Sequence, residues 1–339
     1  MKTVVSVQEI SEFDIKPREA VSEWRALVRD EIAHRWIDRS GWIEVHCPTC
    51  EPKDEVPAFD HCGIPYVECT ACGSLFAPLR PTENELWDWY RDSAPARFWR
   101  KRLLPASSTA RLEKVIRPRA DWVLDGVAEY APSARRLVDI STYGRGLIDI
   151  VAEENPDLNE LLAAGVTADL EGGDTPRVKV RPVRTAELPS LGPADVILAV
   201  DALDRTSSLA ALVAAIKELL APGGVVFATA PVASGFEIQT LWDRSPTIIP
   251  PDKLNLPSVA CLQQLFAEPV WEILELSTPG MFDVEMVYRA IQAEPDGPWP
   301  RVLRSLVERT DATGRTQLVE LLQSRRLTSF ARLVARKRS

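Results

Sequence analysis

The chain has 339 residues, room for two or three ordinary domains, and with 45% apolar and 26% charged residues its composition is that of an average soluble globular protein. This excludes a disordered chain, a collagen-like fibre and a disulfide miniprotein. A net charge of −9 argues against a general nucleic-acid binder, because phosphate contacts need a basic face.

The first residues soon turn acidic and hold no long apolar core of a signal peptide. The longest clean apolar run, Leu209 to Ile216, falls far short of the roughly 20 residues of a membrane span. The expectation is a soluble, cytoplasmic protein. From Arg18 to Ile37 apolar residues recur at Val21, Trp24, Leu27, Val28, Ile32 and Trp36, which predicts an amphipathic helix. Short strand-like pieces follow, Trp42-Ile-Glu-Val and Tyr66-Val-Glu, around Cys47-Pro-Thr-Cys50 and Cys69-Thr-Ala-Cys72. Two such pairs, eighteen residues apart, have the spacing of a zinc ribbon: each pair turns two thiolates toward one ion, and four thiolates leave no position open for substrate. Cys47, Cys50, Cys69 and Cys72 are the expected ligands of a structural zinc. His46, His61 and Cys62 are neighbours, and Cys261 reads as a small buried hydrophobe. Between Gly41 and Arg80 six Asp/Glu face two Lys/Arg, so this ribbon suits packing or partner recognition better than nucleic acid.

Thr82 and Glu85 form a capping box that opens a helix through Leu86, Trp89 and Tyr90, and a polar helical stretch runs on to about Tyr130. The tryptophans of this region, Trp87, Trp89 and Trp99, read as inter-domain packing. Beyond Pro132 strands and helices alternate. Expected strands are Arg136–Ile140, Val166–Leu170, Val178–Val183, Ala194–Val200, Val225–Ala230, Trp271–Ser277 and Phe330–Ala335, with the clearest helix at Ser207–Leu220 closed by an Ala-Pro-Gly-Gly turn. Such alternation predicts an α/β fold with a mostly parallel sheet. Patterns at Val302/Leu303/Leu306/Val307 and Leu318/Val319/Leu321/Leu322 predict a helical cap inserted before the last strand. From Arg301 onward ten Lys/Arg stand against three Asp/Glu, which we read as solvated helix faces.

The first strand leads through Asp139 into Ser141-Thr-Tyr-Gly144-Arg-Gly146, where a phosphate- or adenosyl-binding loop would carry glycines. Asp169 is placed for a ribose hydroxyl, and equally for a solvent-facing turn.

Several stretches resemble class I S-adenosylmethionine-dependent methyltransferases of the bacterial group with an N-terminal zinc ribbon, often linked to surface-polysaccharide or nucleotide-sugar pathways. They are Tyr66-Val-Glu-Cys-Thr-Ala-Cys-Gly-Ser-Leu-Phe, Leu220-Ala-Pro-Gly-Gly-Val-Val-Phe-Ala-Thr-Ala-Pro, Ser234-Gly-Phe-Glu-Ile-Gln-Thr-Leu-Trp, Ile249-Pro-Pro-Asp-Lys-Leu-Asn, Ser277-Thr-Pro-Gly-Met-Phe-Asp-Val-Glu and Leu321-Leu-Gln-Ser-Arg-Arg-Leu-Thr-Ser-Phe. The resemblance implies a Rossmann-like seven-stranded sheet with an antiparallel last strand. It divides the chain into an N-terminal helical segment (1–40), zinc ribbon (41–78), helical connector (79–134), Rossmann-like methyltransferase domain (135–281), helical cap (282–327) and last strand (328–339). It also implies a cofactor site at Asp139, Ser141, Gly144, Gly146, Asp169 and Asp201, and acceptor contacts from Glu237, Lys253 and Asn255.

The sequence departs from the family where chemistry belongs. The family's Asp-x-Gly-x-Gly-x-Gly stands as Asp139-Ile-Ser-Thr-Tyr-Gly-Arg-Gly, its acidic residue followed by Glu-His as Asp201-Ala-Leu-Asp204-Arg205, and its Pro-Pro-His-His-Leu-Asn as Pro250-Pro-Asp252-Lys253-Leu-Asn255. Its late Ser-Ser-His is Thr328-Ser329-Phe330, and the only histidines are His34, His46 and His61, all before the nucleotide fold. The reading we favour is a degenerate member, non-catalytic or dependent on a catalytic protein partner. The alternative is an active methyltransferase on a sugar, nucleotide sugar or other small molecule.

Overall fold

The computed structural model describes residues 1–6, 11–142, 145–165 and 173–338. Its centre is a seven-stranded sheet of β1 (Arg136–Asp139), β2 (Glu160–Ala163), β3 (Val178–Val180), β4 (Ala194–Ala199), β5 (Leu220–Pro231), β6 (Trp271–Ser277) and β7 (Phe330–Lys337), in the order β3-β2-β1-β4-β5-β7-β6. β1 to β5 run parallel, whereas β7 is antiparallel to both its neighbours. This is the Rossmann-like sheet that the resemblance implies, antiparallel last strand included. The strands alternate between two cores: Leu137, Val196, Leu198 and Phe227 pack on one face with Val123, Val127, Ile148 and Val151, and Val138, Ile197, Ala199 and Ala228 on the other with Leu212 and Ile216. Strands buried on both faces read as nearly continuous apolar runs, which is why most of them were visible in the sequence.

Two elements differ from expectation. The expected strand Val166–Leu170 lies outside the described residues, and the partner of β1 is Glu160–Ala163, a short Glu-Leu-Leu-Ala run whose residues are good helix formers. β5 begins at Leu220 rather than Val225, because Leu220 already pairs with Ala194 before a bulge carries the strand through the Ala-Pro-Gly-Gly turn.

The N-terminal helix Arg18–Arg35, the cysteine-bearing segment and the helix Glu83–Asp92 share one core, with Trp24, Ile32, Trp36, Tyr66, Leu75, Trp89 and Tyr90 packed against Ile238, Ile248, Leu254 and Leu256 from the segment after β5. Trp36 stacks on Trp89 at 4.7 Å. The Thr82–Glu85 capping box is present, with Thr82 N donating to Glu85 at 2.8 Å. The hairpin Glu55–His61/Ile64–Cys69 continues through Leu75–Phe76 onto Asn255–Leu256, so it is sewn into the segment between β5 and β6.

From Ala94 to Tyr130 the chain is helical, interrupted by π-turns at Trp99–Leu103 and Leu112–Ile116 just ahead of Pro105 and Pro118. Proline lacks the N–H and crowds the carbonyl four residues back, so the preceding turn loosens. The insert before β7 holds the helices Asp283–Ala293, Arg301–Arg309 and Ala312–Ser324; the two sequence patterns lie on the last two. Among the described residues no helix is long and apolar enough to cross a membrane.

Candidate functional site

The four cysteines meet. Their Sγ atoms all lie within 4.8 Å of one another, and Cys47 and Cys72 are 3.6 Å apart. A tetrahedral ion with metal–sulfur bonds of about 2.3 Å sets its sulfurs about 3.8 Å apart, so this donor set fits one metal ion. Cys261, from the helix Val259–Leu265, packs wholly buried against the group and accepts a hydrogen bond from Thr49 at 3.6 Å. His46 lies outside the group and contacts Glu55 at 3.1 Å.

At the C-terminal ends of β1 and β4 the structure brings Asp139, Ser141 and Asp201 together. Ser141 N donates to Asp139 at 2.8 Å, Ser141 Oγ accepts from Val200 N at 3.0 Å, and Thr142 donates to the Asp201 carbonyl at 2.9 Å. Burial pushes Asp139 up to about 6, against the hydrogen bonds from Ser141. Gly146 opens the helix Gly146–Glu154; a Cβ there would lie 3.3 Å from Ile116 Cδ1, so its bareness serves packing against the preceding helix. Arg145 folds back onto Asp149 at 2.8 Å and donates to the Gly173 carbonyl. Gly144 and Asp169 lie outside the described residues, and β2 ends at Ala163, six residues before Asp169. Asp201 itself sits at φ +54° and is held from two sides: Arg119 Nη1 donates at 2.7 Å, and the Thr229 hydroxyl donates at 2.9 Å. Burial alone would raise this carboxyl; Arg119, Lys253 and Thr229 outweigh it and leave Asp201 below its ordinary value. Asp139 and Ser141 are thus tied to backbone N–H groups, and Asp201 to Arg119 and Thr229.

The departures at two separate motifs come together in space. Arg205, on the turn after β4, donates to Asp252 at 3.0 Å, and Lys253 pairs with Asp204, which is wholly buried. Burial still prevails over the Lys253 ammonium and pushes Asp204 up to about 7. Arg205 also stands 5.5 Å from the Tyr90 ring centre. Where the resemblance places histidine chemistry, this chain has two crossed ion pairs.

Beside them opens a cavity of ≈ 270 Å³, lined by Trp24 and Trp99, by the cations Lys16, Arg25, Arg111, Lys114, Arg119, Lys253 and Arg332, and by Asp201, Glu237, Asp252 and Asp283. Trp24 and Trp99 sit 5.3 Å apart, so these two tryptophans face the cavity as well as packing the connector. Glu237 is 1% exposed; Ser245 donates to its Oε1 at 2.7 Å, while Oε2 has no partner. Burial, with neighbouring Asp283 adding to it, pushes it up to about 7. Asp283 accepts from Ser329 N at 2.6 Å, and Gly235 lies so close to this turn that a Cβ would come 2.2 Å from Ser329 Cα. Of the expected acceptor contacts, Glu237 and Lys253 line the cavity and Asn255 does not: it receives Arg80 at 2.5 Å and donates to the carbonyls of Leu203 and Thr206 at 3.1 and 2.9 Å.

Sequence reasoning missed Arg111, Arg119, Arg332 and Asp283. Arg111, Val115 and Arg119 repeat every four residues along one face of the connector, a signal that was present inside a stretch read only as polar and helical. Arg332 carried no local signal.

No family model and no curated protein matches the chain. Among solved structures it is similar to the [4+2]-cyclase SpnF (19% identity, 64% of this chain and 80% of that one, TM-score 0.38). It is also similar to the plantazolicin methyltransferase BamL in complex with a triazolic desmethylPZN analog and SAH (8%, 76% and 96%, TM-score 0.45). A third similar structure is an S-adenosylmethionine-dependent methyltransferase from Mesorhizobium loti (16%, 67% and 100%, TM-score 0.39).

Proposed function

We propose that the chain is a methyltransferase-like protein that binds a small molecule in its cavity and acts as a non-catalytic or partner-dependent subunit. The observation that carries this reading is the pair of crossed salt bridges, Arg205–Asp252 and Lys253–Asp204. A general base has to accept a proton, and a guanidinium cannot be deprotonated in a protein. Lys253 is turned onto Asp204. The described part of the cofactor loop offers S-adenosylmethionine little: Gly146 faces Ile116 rather than open space, and Arg145 lies folded along its own helix. A zinc ion held by Cys47, Cys50, Cys69 and Cys72 would cross-link a segment too small for its own core. The resemblance to the surface-polysaccharide group makes a sugar or nucleotide sugar the first ligand class to examine.

A second reading, an active methyltransferase, is favoured by the position of the cavity, which reaches Asp201 and Pro231 at the ends of β4 and β5. Transfer from a sulfonium to an already nucleophilic acceptor depends more on proximity than on proton transfer. Glu237, Asp252 and Lys253 would then position the acceptor. The deciding experiment measures S-adenosylhomocysteine formed by zinc-loaded protein with nucleotide sugars and simple nucleophiles. No product above the protein-free rate is expected; steady turnover with any acceptor would overturn the first reading in favour of the second.

A further inference from the structure

Three of the cavity's cations, Arg111, Arg119 and Arg332, lie close enough for Arg119 to act on the other two. Arg332 on β7 stands opposite Thr229 on β5, and the Thr229 hydroxyl donates to Asp201, which follows β4. Adjacent strands lie about 4.8 Å apart, so Asp201, Thr229 and Arg332 form a row across three neighbouring strands. Arg119 reaches over this row from the helix Arg117–Tyr130, with Nη1 2.7 Å and Nη2 3.4 Å from the two Asp201 oxygens. Arg111 lines the same cavity two turns earlier on the connector, its guanidinium 5.6 Å from the Trp99 ring centre. Arg332 lies 5.2 Å from the Trp122 ring centre, and its buried Nε has no hydrogen-bond partner. Burial, with the charge of Arg119 adding to it, pushes both Arg111 and Arg332 down to about 10. Arg119 thus stands near two further guanidiniums of the cavity lining and contacts Asp201, while Glu275 acts on Arg332.

We propose that Arg111, Arg119 and Arg332 form an anion subsite for the phosphate or carboxylate group of a small molecule, and that the incoming anion draws Arg119 away from Asp201. Guanidinium groups match both oxyanions in geometry, and the exchange trades one charge-assisted pair for another. Asp201 is then released to accept hydrogen bonds from the rest of the ligand, or from a second ligand at the ends of β1 and β4. Trp24 and Trp99 offer the apolar wall for the uncharged part. The subsite rests on the cavity being a ligand site, as proposed above, but not on whether S-adenosylmethionine binds or reacts.

The test titrates full-length, zinc-loaded protein calorimetrically with inorganic phosphate, pyrophosphate and succinate at constant ionic strength, with S-adenosylmethionine titrated in parallel. Saturable binding of at least one anion is expected, weakened tenfold or more in Arg332→Gln and, as a second variant on a different element, in Arg111→Gln. Asp201→Asn removes the competing carboxylate and is expected to tighten the anion severalfold, an effect that a merely damaged fold does not produce. Preference for pyrophosphate assigns a phosphate ester, and preference for succinate a carboxylate. Absence of saturable binding by all three anions overturns the subsite, whatever S-adenosylmethionine does. Weaker anion binding in Asp201→Asn, at unchanged metal content and circular dichroism, overturns the exchange.

Discussion

Arg205 Nη2 lies 3.0 Å from Asp252 Oδ2, joining the turn after β4 to a loop 47 residues later in the chain. The adjacent residues are joined in the crossed sense, Asp204 to Lys253, and Asn255 closes the same seam by donating to the carbonyls of Leu203 and Thr206. Four charges that look like unrelated substitutions in the sequence are therefore one electrostatic unit. Such a unit ties the two loops to each other through both of its ion pairs.

The Asp204–Lys253 pair predicts strong non-additivity. Removing one partner leaves a charge buried alone, so Asp204→Asn or Lys253→Met is expected to cost about 3 kcal/mol. The double variant Asp204→Asn/Lys253→Met is expected to stay within about 1.5 kcal/mol of wild type, because both charges leave together. Denaturant titration of the cycle checks this; additive losses would mean that the two side chains act independently.

The metal group predicts a coupled loss. One zinc per chain is expected, released by a thiol-modifying reagent and absent from Cys69→Ser. Because Leu75–Phe76 pairs with Asn255–Leu256, losing the ion should loosen the loop carrying Asp252 and Lys253 as well as the hairpin. Hydrogen exchange should show faster amides in residues 43–80 and 249–256, with β1 and β4 unchanged. Exchange rates altered only in the hairpin would contradict the coupling.

The sheet was legible in the sequence because β4 and β5 are nearly continuous apolar runs, and β1, β6 and β7 keep apolar residues between their charged ones. The metal group was legible because ligand spacing is a local property. The ion-pair unit was not: Asp204-Arg205 and Asp252-Lys253 were each visible as departures from a motif, but their pairing is a tertiary contact that no local pattern encodes. Asn255 shows the same limit, since a polar residue in a conspicuous motif serves equally as a ligand contact or, as here, as the acceptor of a buried arginine.

Glu237 predicts a pH-dependent stability. Its carboxyl rises from an ordinary 4.5 to about 7 in the folded state, so the folded protein binds the extra proton. The cost of ionising it is absent below about pH 4.5, grows between there and about 7, and is complete above. Glu237→Gln is expected to gain on the order of 2–3 kcal/mol at pH 8 and nothing at pH 4, because Gln stays neutral while accepting from Ser245. Thermal melts at the two pH values check this; an equal effect at both would remove the titration from the account.

Arg80 predicts that shape matters beyond charge. It is fully buried and donates to the carbonyls of Ala77 and Leu254 and to Asn255, tying the cysteine-bearing segment to the loop after β5. Lysine keeps the charge but cannot fork to three acceptors, so Arg80→Lys is expected to lose about 2 kcal/mol. Asn255→Ala should lose a similar amount, and the double variant less than the sum. Full additivity in denaturant titration would dissociate the two residues.

On the reading proposed above, the isolated chain does not use S-adenosylmethionine on its own. The most direct measurement is a calorimetric titration of folded protein holding one zinc per chain with S-adenosylmethionine and then S-adenosylhomocysteine. No binding heat at millimolar ligand is expected from the isolated chain. Micromolar binding of either ligand would contradict it, because Arg119 would then have to leave Asp201 for the cofactor and the crevice would be a working cofactor site.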